Sequence, residues 1–380
     1  MTKSLLVFGE DWGGHPSSSQ HLIKGLIEQY HTPVNWVNSI GLRQPRISPR
    51  DIKRVMNKLV SRRAQPIAPS VALNQSSPLK VLHPKAWPAP QRGWARALAS
   101  QMLAKQLRPY SSDIIYTALP TAIDSIQRLP HQGLVYYAGD DFGALAGVDH
   151  LTVLAREQAL LQQADLVIAA SDSLADLLQS RAPQQRNIRV LPHGVDLELF
   201  QTATAPADDL PASHLIAGFY GSLSNWLNQS LLVEVMQALP HWQFVFIGNI
   251  ETNIAKLLAL PNFIHLAAKP HEQLARYSQH WQASLLPFVD NDQIRACNPL
   301  KLREYLAAGS PVVSTYFPAL DPYQQSVNVA QTSDNFIQHL RAIEQNQPRI
   351  QQASQFGLQQ VQQQSWRHRV AQLATWLECL

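Results

Sequence analysis

The chain has 380 residues, 45% of them hydrophobic, and its 31 Lys and Arg against 27 Asp and Glu leave a formal charge of +4 at pH 7. That length exceeds what one core usually organises and the apolar content can fill two, so a two-domain protein is expected. Cys297 and Cys379 stand alone, which excludes a disulfide framework and fits a reducing compartment, and no run of about 18 apolar residues offers a membrane span.

Along the chain, strand-like runs alternate with helical patterns, the signature of parallel α/β layers. Strands are expected near 4–8, 33–37, 113–117, 134–138, 165–170 and 188–191, then near 215–220, 243–247, 263–267, 283–287, 312–315 and 327–330. The apolar start, 4–8, is too short for a secretory signal. A polar, Ala- and Pro-containing stretch at 201–213 separates the two sets and reads as a linker. Ligands of open parallel sheets bind beyond the C-terminal ends of the strands. The loops 9–19, 138–149, 221–228, 247–253 and 288–299 should therefore line one cleft.

Gly13 and Gly14 follow the first strand, where glycines let backbone approach a substrate; a simple turn would use them equally well. They are not part of a Gly-x-Gly-x-x-Gly string, so a dinucleotide cofactor has no support. His15, Ser17, Ser18 and Ser19 fall at a helix start, able to cap it or to hydrogen-bond a ligand, with capping expected of at least one serine. Residues 43–63 carry Arg43, Arg46, Arg50, Lys53, Arg54, Lys58, Arg62 and Arg63 against Asp51 alone. Ile52, Val55, Met56, Leu59 and Val60 fall on one helical face, as for a helix lying on an anionic leaflet or for a packed helix with a basic outer face. A nucleic-acid groove would need interleaved aromatics, which are missing, so nucleic acid is not an expected partner.

Asp140 and Asp141 end a strongly apolar strand. Adjacent carboxylates repel, which raises one of them toward the range of a general base. Asp141 is the first candidate and Asp149, which would serve equally as a helix cap, the second; Glu157 reads as solvated surface. Asp290-Asn291-Asp292 suits turn chemistry better than a metal site, and the 14 histidines show no ligand spacing, so no metal is expected. In 298–315, Asn298 reads as a cap and Pro299 as the first helical residue. Lys301 in the first turn would add a full charge to the anion-attracting end of that helix, and Glu304 shares its face. Trp366, Val370, Leu373 and Leu377 recur at helical spacing near the C-terminus.

The string Lys301-x-x-Glu304-Tyr305-Leu306-Ala307 through Pro311-Val312-Val313 closely resembles the donor-nucleotide motif of GT-B glycosyltransferases. VLPHGVDLELF (190–200), AGFYGSLSNW (217–226) and HEQLARYSQHWQASLLPF (271–288) resemble further motifs of the group 1 and family 4-like members, in the right order over about half the chain. The resemblance implies an α/β fold of two Rossmann-like domains facing each other across a cleft: 1–198 for the acceptor, 199–360 for the nucleotide sugar, and a helix over 361–380 crossing back. It implies a UDP-sugar donor held by Gly221, Arg295, Asn298, Lys301, Glu304 and Tyr305, with Glu304 on the ribose. Gly13, Gly14, His15 and Ser17 would then face the acceptor, and Asp141 or Asp149 would act as base. Retaining members carry two glutamates separated by seven residues; Glu304 matches the second, the first position is Ala296 here, and the basic pair of their glycine loop is missing from 221–230. The pattern is closer to the branch of the xanthan glucuronosyltransferase. Expected partners are a nucleotide sugar, a glycan or polyprenyl-linked acceptor and an anionic membrane surface, at the cytoplasmic face of the membrane. A sugar-nucleotide epimerase and an inactive nucleotide-sugar-binding scaffold are the alternatives.

Overall fold

The computed structural model describes residues 3–13, 17–38, 78–84, 93–144, 150–212 and 215–380. Two wholly parallel sheets organise them. The first has the order β3-β2-β1-β4-β5-β6-β7, built from β1 (Leu5–Phe8), β2 (Val34–Val37), β3 (Leu79–Leu82), β4 (Ile114–Thr117), β5 (Gly133–Ala138), β6 (Leu166–Ala169) and β7 (Ile188–Val190). The second has the order β10-β9-β8-β11-β12-β13, from β8 (Ile216–Tyr220), β9 (Gln243–Ile247), β10 (Phe263–Leu266), β11 (Ala283–Leu286), β12 (Val312–Thr315) and β13 (Val327–Ala330). Both orders reverse once, between β1 and β4 and between β8 and β11, and crevices for ligands form at such switch points.

Central strands are apolar on both faces because helices cover both, and Leu5, Leu6, Val7 and Phe8 are all fully buried. The period of two then splits them: Leu6 and Phe8 join one core layer and Leu5 and Val7 the other. That second layer is completed by the last helix, Trp366–Glu378, which inserts Val370, Leu373, Ala374 and Leu377 beside Leu22, Ile23 and Leu26 of the Ser18–Tyr30 helix. The helix thus follows the second sheet in sequence and packs on the first. Its approach is pinned where Val195 N–H donates to Gln364 O (2.9 Å) and Trp366 N–H to Val195 O (3.1 Å).

Two sequence expectations change here. β3 was not expected: it is a half-exposed edge strand, Leu-Lys-Val-Leu, too short and too polar on one face to stand out. Glu157 is not solvated surface but 1% exposed within the His150–Gln163 helix. Among the described residues no helix is long and apolar enough to cross a membrane. The basic stretch 43–63 lies outside them.

Candidate active site

The strand ends of the two sheets face each other, and their loops supply the site. After β1, the Gly13 N–H donates to Gln20 Oε1 (3.2 Å), and Gln20 Nε2 donates to Glu10 Oε1 (3.0 Å) and Asp11 O (3.2 Å). Gly13 has φ +81°, a conformation that favours glycine, and among the described residues nothing lies within 4 Å of where a Cβ would sit. Ser17 caps the Ser18–Tyr30 helix by accepting from Gln20 N–H (3.2 Å) and also bonds Glu10. Gly14 and His15 lie outside the described residues. Behind this loop, Ser18 Oγ (2.6 Å) and Tyr137 Oη (3.2 Å) both meet His193 Nδ1. Burial, then the charges of Arg303 and Arg369, pull that imidazole down to about 3.

At the end of β5 the two aspartates separate. Asp141 is 8% exposed; it accepts from the Gly143 N–H (2.8 Å) and pairs with Arg181 Nη2 (2.7 Å). The same guanidinium holds Glu157 through Nη1 (2.8 Å), and Tyr136 Oη donates to the other oxygen of Glu157 (2.7 Å). Asp141 is therefore committed to a buried ion pair. Asp140 is solvent-accessible, and its carboxyl is pushed up first by desolvation from the surrounding protein and then by the Asp141 charge. Across the cleft it lies near enough to Cys297 to add to the burial that drives that thiol up to about 12. Asp149 lies outside the described residues.

The facing wall carries Lys301. Its Nζ sits over the rings of Phe219 (4.7 Å), Trp226 (5.0 Å) and Phe288 (5.7 Å), and burial pulls it down to about 8 against the opposing pull of Cys297 and Glu304. Among the described residues no carboxylate lies within ion-pair distance of it. Gly221 (φ +138°) makes room for the ammonium, since a Cβ there would lie 2.6 Å from Nζ. Glu304, 8% exposed, accepts from His271 Nε2 at 2.8 Å.

Three residues expected here act differently. Asn298 does not cap: the helix runs Leu300–Ala307 with Pro299 at its boundary, and Asn298 donates to Ala170 O (2.6 Å) while accepting from Arg303 Nη1 (2.8 Å). The Asn298 side chain is taken up by Ala170 and Arg303, so it is not offered to the free amides of that helix. Arg295 is turned to solvent and held by Asp290 (2.7 Å) and Asp292 (3.5 Å). Tyr305 is fully buried, its hydroxyl accepting from Tyr220 N–H (3.0 Å), so it shapes the glycine loop from beneath. Asn291 caps the Asp292–Ala296 helix, as turn chemistry suggests. Among the described residues no group of three His, Cys, Asp or Glu could hold a metal. His271, Cys297 and the aromatic box around Lys301 went unread because partners distant in sequence make no local pattern.

The chain matches the family model described as Glycosyltransferase Family 4 over residues 13–199 and the model described as Glycosyl transferase-like over 228–375. It is 29% identical over 178 residues to TuaH of Bacillus subtilis (strain 168), named as a glycosyltransferase of teichuronic acid biosynthesis. That match covers 44% of this chain and 45% of the relative, so it spans less than half the length of either. Among solved structures it resembles sucrose-phosphate synthase of Thermosynechococcus elongatus, with TM-score 0.73 and 16% identity over 99% of this chain and 98% of that one. HepE of Anabaena, solved with UDP-glucose, superposes with TM-score 0.69 and 13% identity over the whole of both chains. These likenesses establish the fold.

Proposed function

We propose, since this chain belongs to the glycosyltransferases of GT-B fold, that it moves a sugar from a UDP-sugar to a membrane-associated glycan or polyprenyl-linked acceptor in polysaccharide biosynthesis. The observation that carries the donor half is Lys301, an ammonium held in an aromatic box with no carboxylate partner among the described residues, at the first turn of a helix facing the cleft. A buried cation is costly unless an anion completes it, and a nucleotide diphosphate is such an anion. In this reading Glu304 receives the ribose hydroxyls and Gly221 lets the loop backbone approach the phosphates. Asp140, rather than its ion-paired neighbour Asp141, takes the proton of the acceptor hydroxyl as that oxygen attacks the anomeric carbon. The bond from that carbon to the diphosphate breaks, its electron pair leaves with UDP beside Lys301, and configuration inverts.

Support for the donor comes from HepE, solved with UDP and with UDP-glucose, and for the pathway class from the name of TuaH. The eight basic residues of 43–63 support an anionic membrane partner at the cytoplasmic face. Incubation of nucleotide sugars with a lipid-linked acceptor tests the reading: transfer with inverted anomeric configuration supports it. An epimerised nucleotide sugar, or binding without turnover, would replace it with an epimerase or an inactive scaffold. Salt-sensitive flotation with anionic liposomes is expected alongside, and flotation indifferent to salt removes the membrane partner.

A further inference from the structure

Glu304 is not free to turn. Its partner His271 and the carboxylate itself are 12% and 10% exposed, and the imidazole is walled in by rings. Phe200 meets it edge-on at 5.6 Å between centroids and His21 at 5.9 Å, while His21 stacks on Trp366 at 4.6 Å with the planes 7° apart. His21 belongs to the Ser18–Tyr30 helix of the first sheet and Trp366 to the C-terminal helix that packs there, whereas His271 and Glu304 belong to the second sheet. A run of three rings therefore crosses between the layers and ends on one carboxylate. A carboxylate offers about four lone-pair sites, so accepting from His271 leaves others for a vicinal diol, but only if its plane is held.

We propose that His271 is a positioning residue for the donor: its Nε2–H holds Glu304 in the orientation that receives both ribose hydroxyls, and His21 and Trp366 brace the imidazole from the facing layer. This rests on reading Glu304 as the ribose group. The charge states agree with the geometry. Burial, then His271, pulls His21 down to about 4, with Lys24 adding to that against the opposing pulls of Glu304 and Asp196, so a neutral ring faces His271. Burial pulls His271 down too, but the hydrogen bond and charge of Glu304, aided by Glu272 and Asp196, outweigh it and leave the imidazole above its ordinary value. An imidazolium must donate at Nε2, whereas a neutral ring can place its proton on either nitrogen.

The test is the ratio of UDP affinity to 2′,3′-dideoxy-UDP affinity, by calorimetry on the full chain. Lys301 acts on both nucleotides through the diphosphate, so its titration cancels in that ratio. His271→Phe, which refills the aromatic slot without a donor, is expected to lower the ratio about tenfold, the worth of one charge-assisted bond. His271→Gln keeps an N–H donor and should recover most of it. In the wild type the ratio should fall as pH rises through the raised value of His271, and in His271→Gln it should stay flat. A ratio unchanged in Glu304→Gln removes the ribose reading and this proposal with it. A ratio lowered in Glu304→Gln but unchanged in His271→Phe overturns the positioning role alone. Should His271→Phe not fold, a wild-type pH slope retained in His271→Gln overturns it equally.

Discussion

Asp140 and Asp141 are the same residue type in adjacent positions, and their surroundings divide the work. Asp141 neutralises Arg181, which also serves Glu157, so it anchors the loop; Asp140 keeps an accessible carboxyl whose affinity for a proton is raised. Asp140→Asn should therefore lower turnover by about 10²- to 10⁴-fold, the usual range for loss of a general base, with UDP affinity intact. Asp141→Asn should instead lower the urea midpoint, by about 1–3 kcal/mol of stability, because Arg181 keeps only Glu157. Turnover, UDP calorimetry and urea unfolding on both variants check this, and the opposite pattern returns the base to Asp141. Lys301 makes a second prediction. It is charged below about 8 and neutral above, so UDP affinity should weaken as pH rises through that value, with proton uptake on binding. Lys301→Ala should weaken UDP binding by about 1.5–3 kcal/mol at neutral pH and flatten the profile.

At the scale of elements, the two layers are joined by hydrogen bonds at helix ends. Ser171 and Ser173, at the start of the Asp172–Arg181 helix, donate to Ala296 O (3.4 Å) and Arg295 O (3.3 Å) at the end of the Asp292–Ala296 helix. Such terminal carbonyls lack partners within their own helix. Asn298 continues the seam to Ala170 O and orients Arg303, which also donates to Gln364 Oε1 (3.0 Å). Asn298→Ala strips a buried acceptor from the guanidinium of Arg303, a residue 3% exposed, and a loss of about 1–3 kcal/mol is expected in urea unfolding. Asn298→Asp keeps the acceptor and should lose less. Equal midpoints for wild type and Asn298→Ala would show that the seam contributes nothing to stability.

For the whole molecule, two buried histidines add an acid-side slope to stability. The native state holds His193 down at about 3 and His21 at about 4, while in the unfolded chain both take up a proton near 6.5. The unfolded state therefore binds more protons below about pH 6.5, and stability should fall on acidification by up to about 1.4 kcal/mol per pH unit per histidine. His271 opposes this in part, since a raised native value adds stability that is full below the unfolded value and is lost as pH rises. Urea unfolding at pH 7 and pH 5 measures the net slope. His193→Gln should make it shallower, and an unchanged slope would clear His193 of the effect.

The strand set of both sheets was legible in the residues, because buried parallel strands are continuous apolar runs set off by turn residues, and only the half-exposed edge strand β3 escaped. That Lys301 opens a helix with Glu304 on the same face was legible too, as a charged first turn, whereas Gly221 came only with the family resemblance. Which aspartate is held in an ion pair, and that Asn298 bridges layers instead of capping, depended on Arg181, Ala170 and Arg303, residues far away in the chain. His271 and His21 show this most plainly: separated by about two thirds of the sequence, each is an unremarkable histidine alone, and only the packing of the two sheets against one C-terminal helix sets His271 on the Glu304 carboxylate and His21 against the His271 ring. Local pattern determined the elements, since propensity and periodicity act over a few residues. The charge states and contacts of the site were decided by the fold, since Coulomb and desolvation effects follow distance in space.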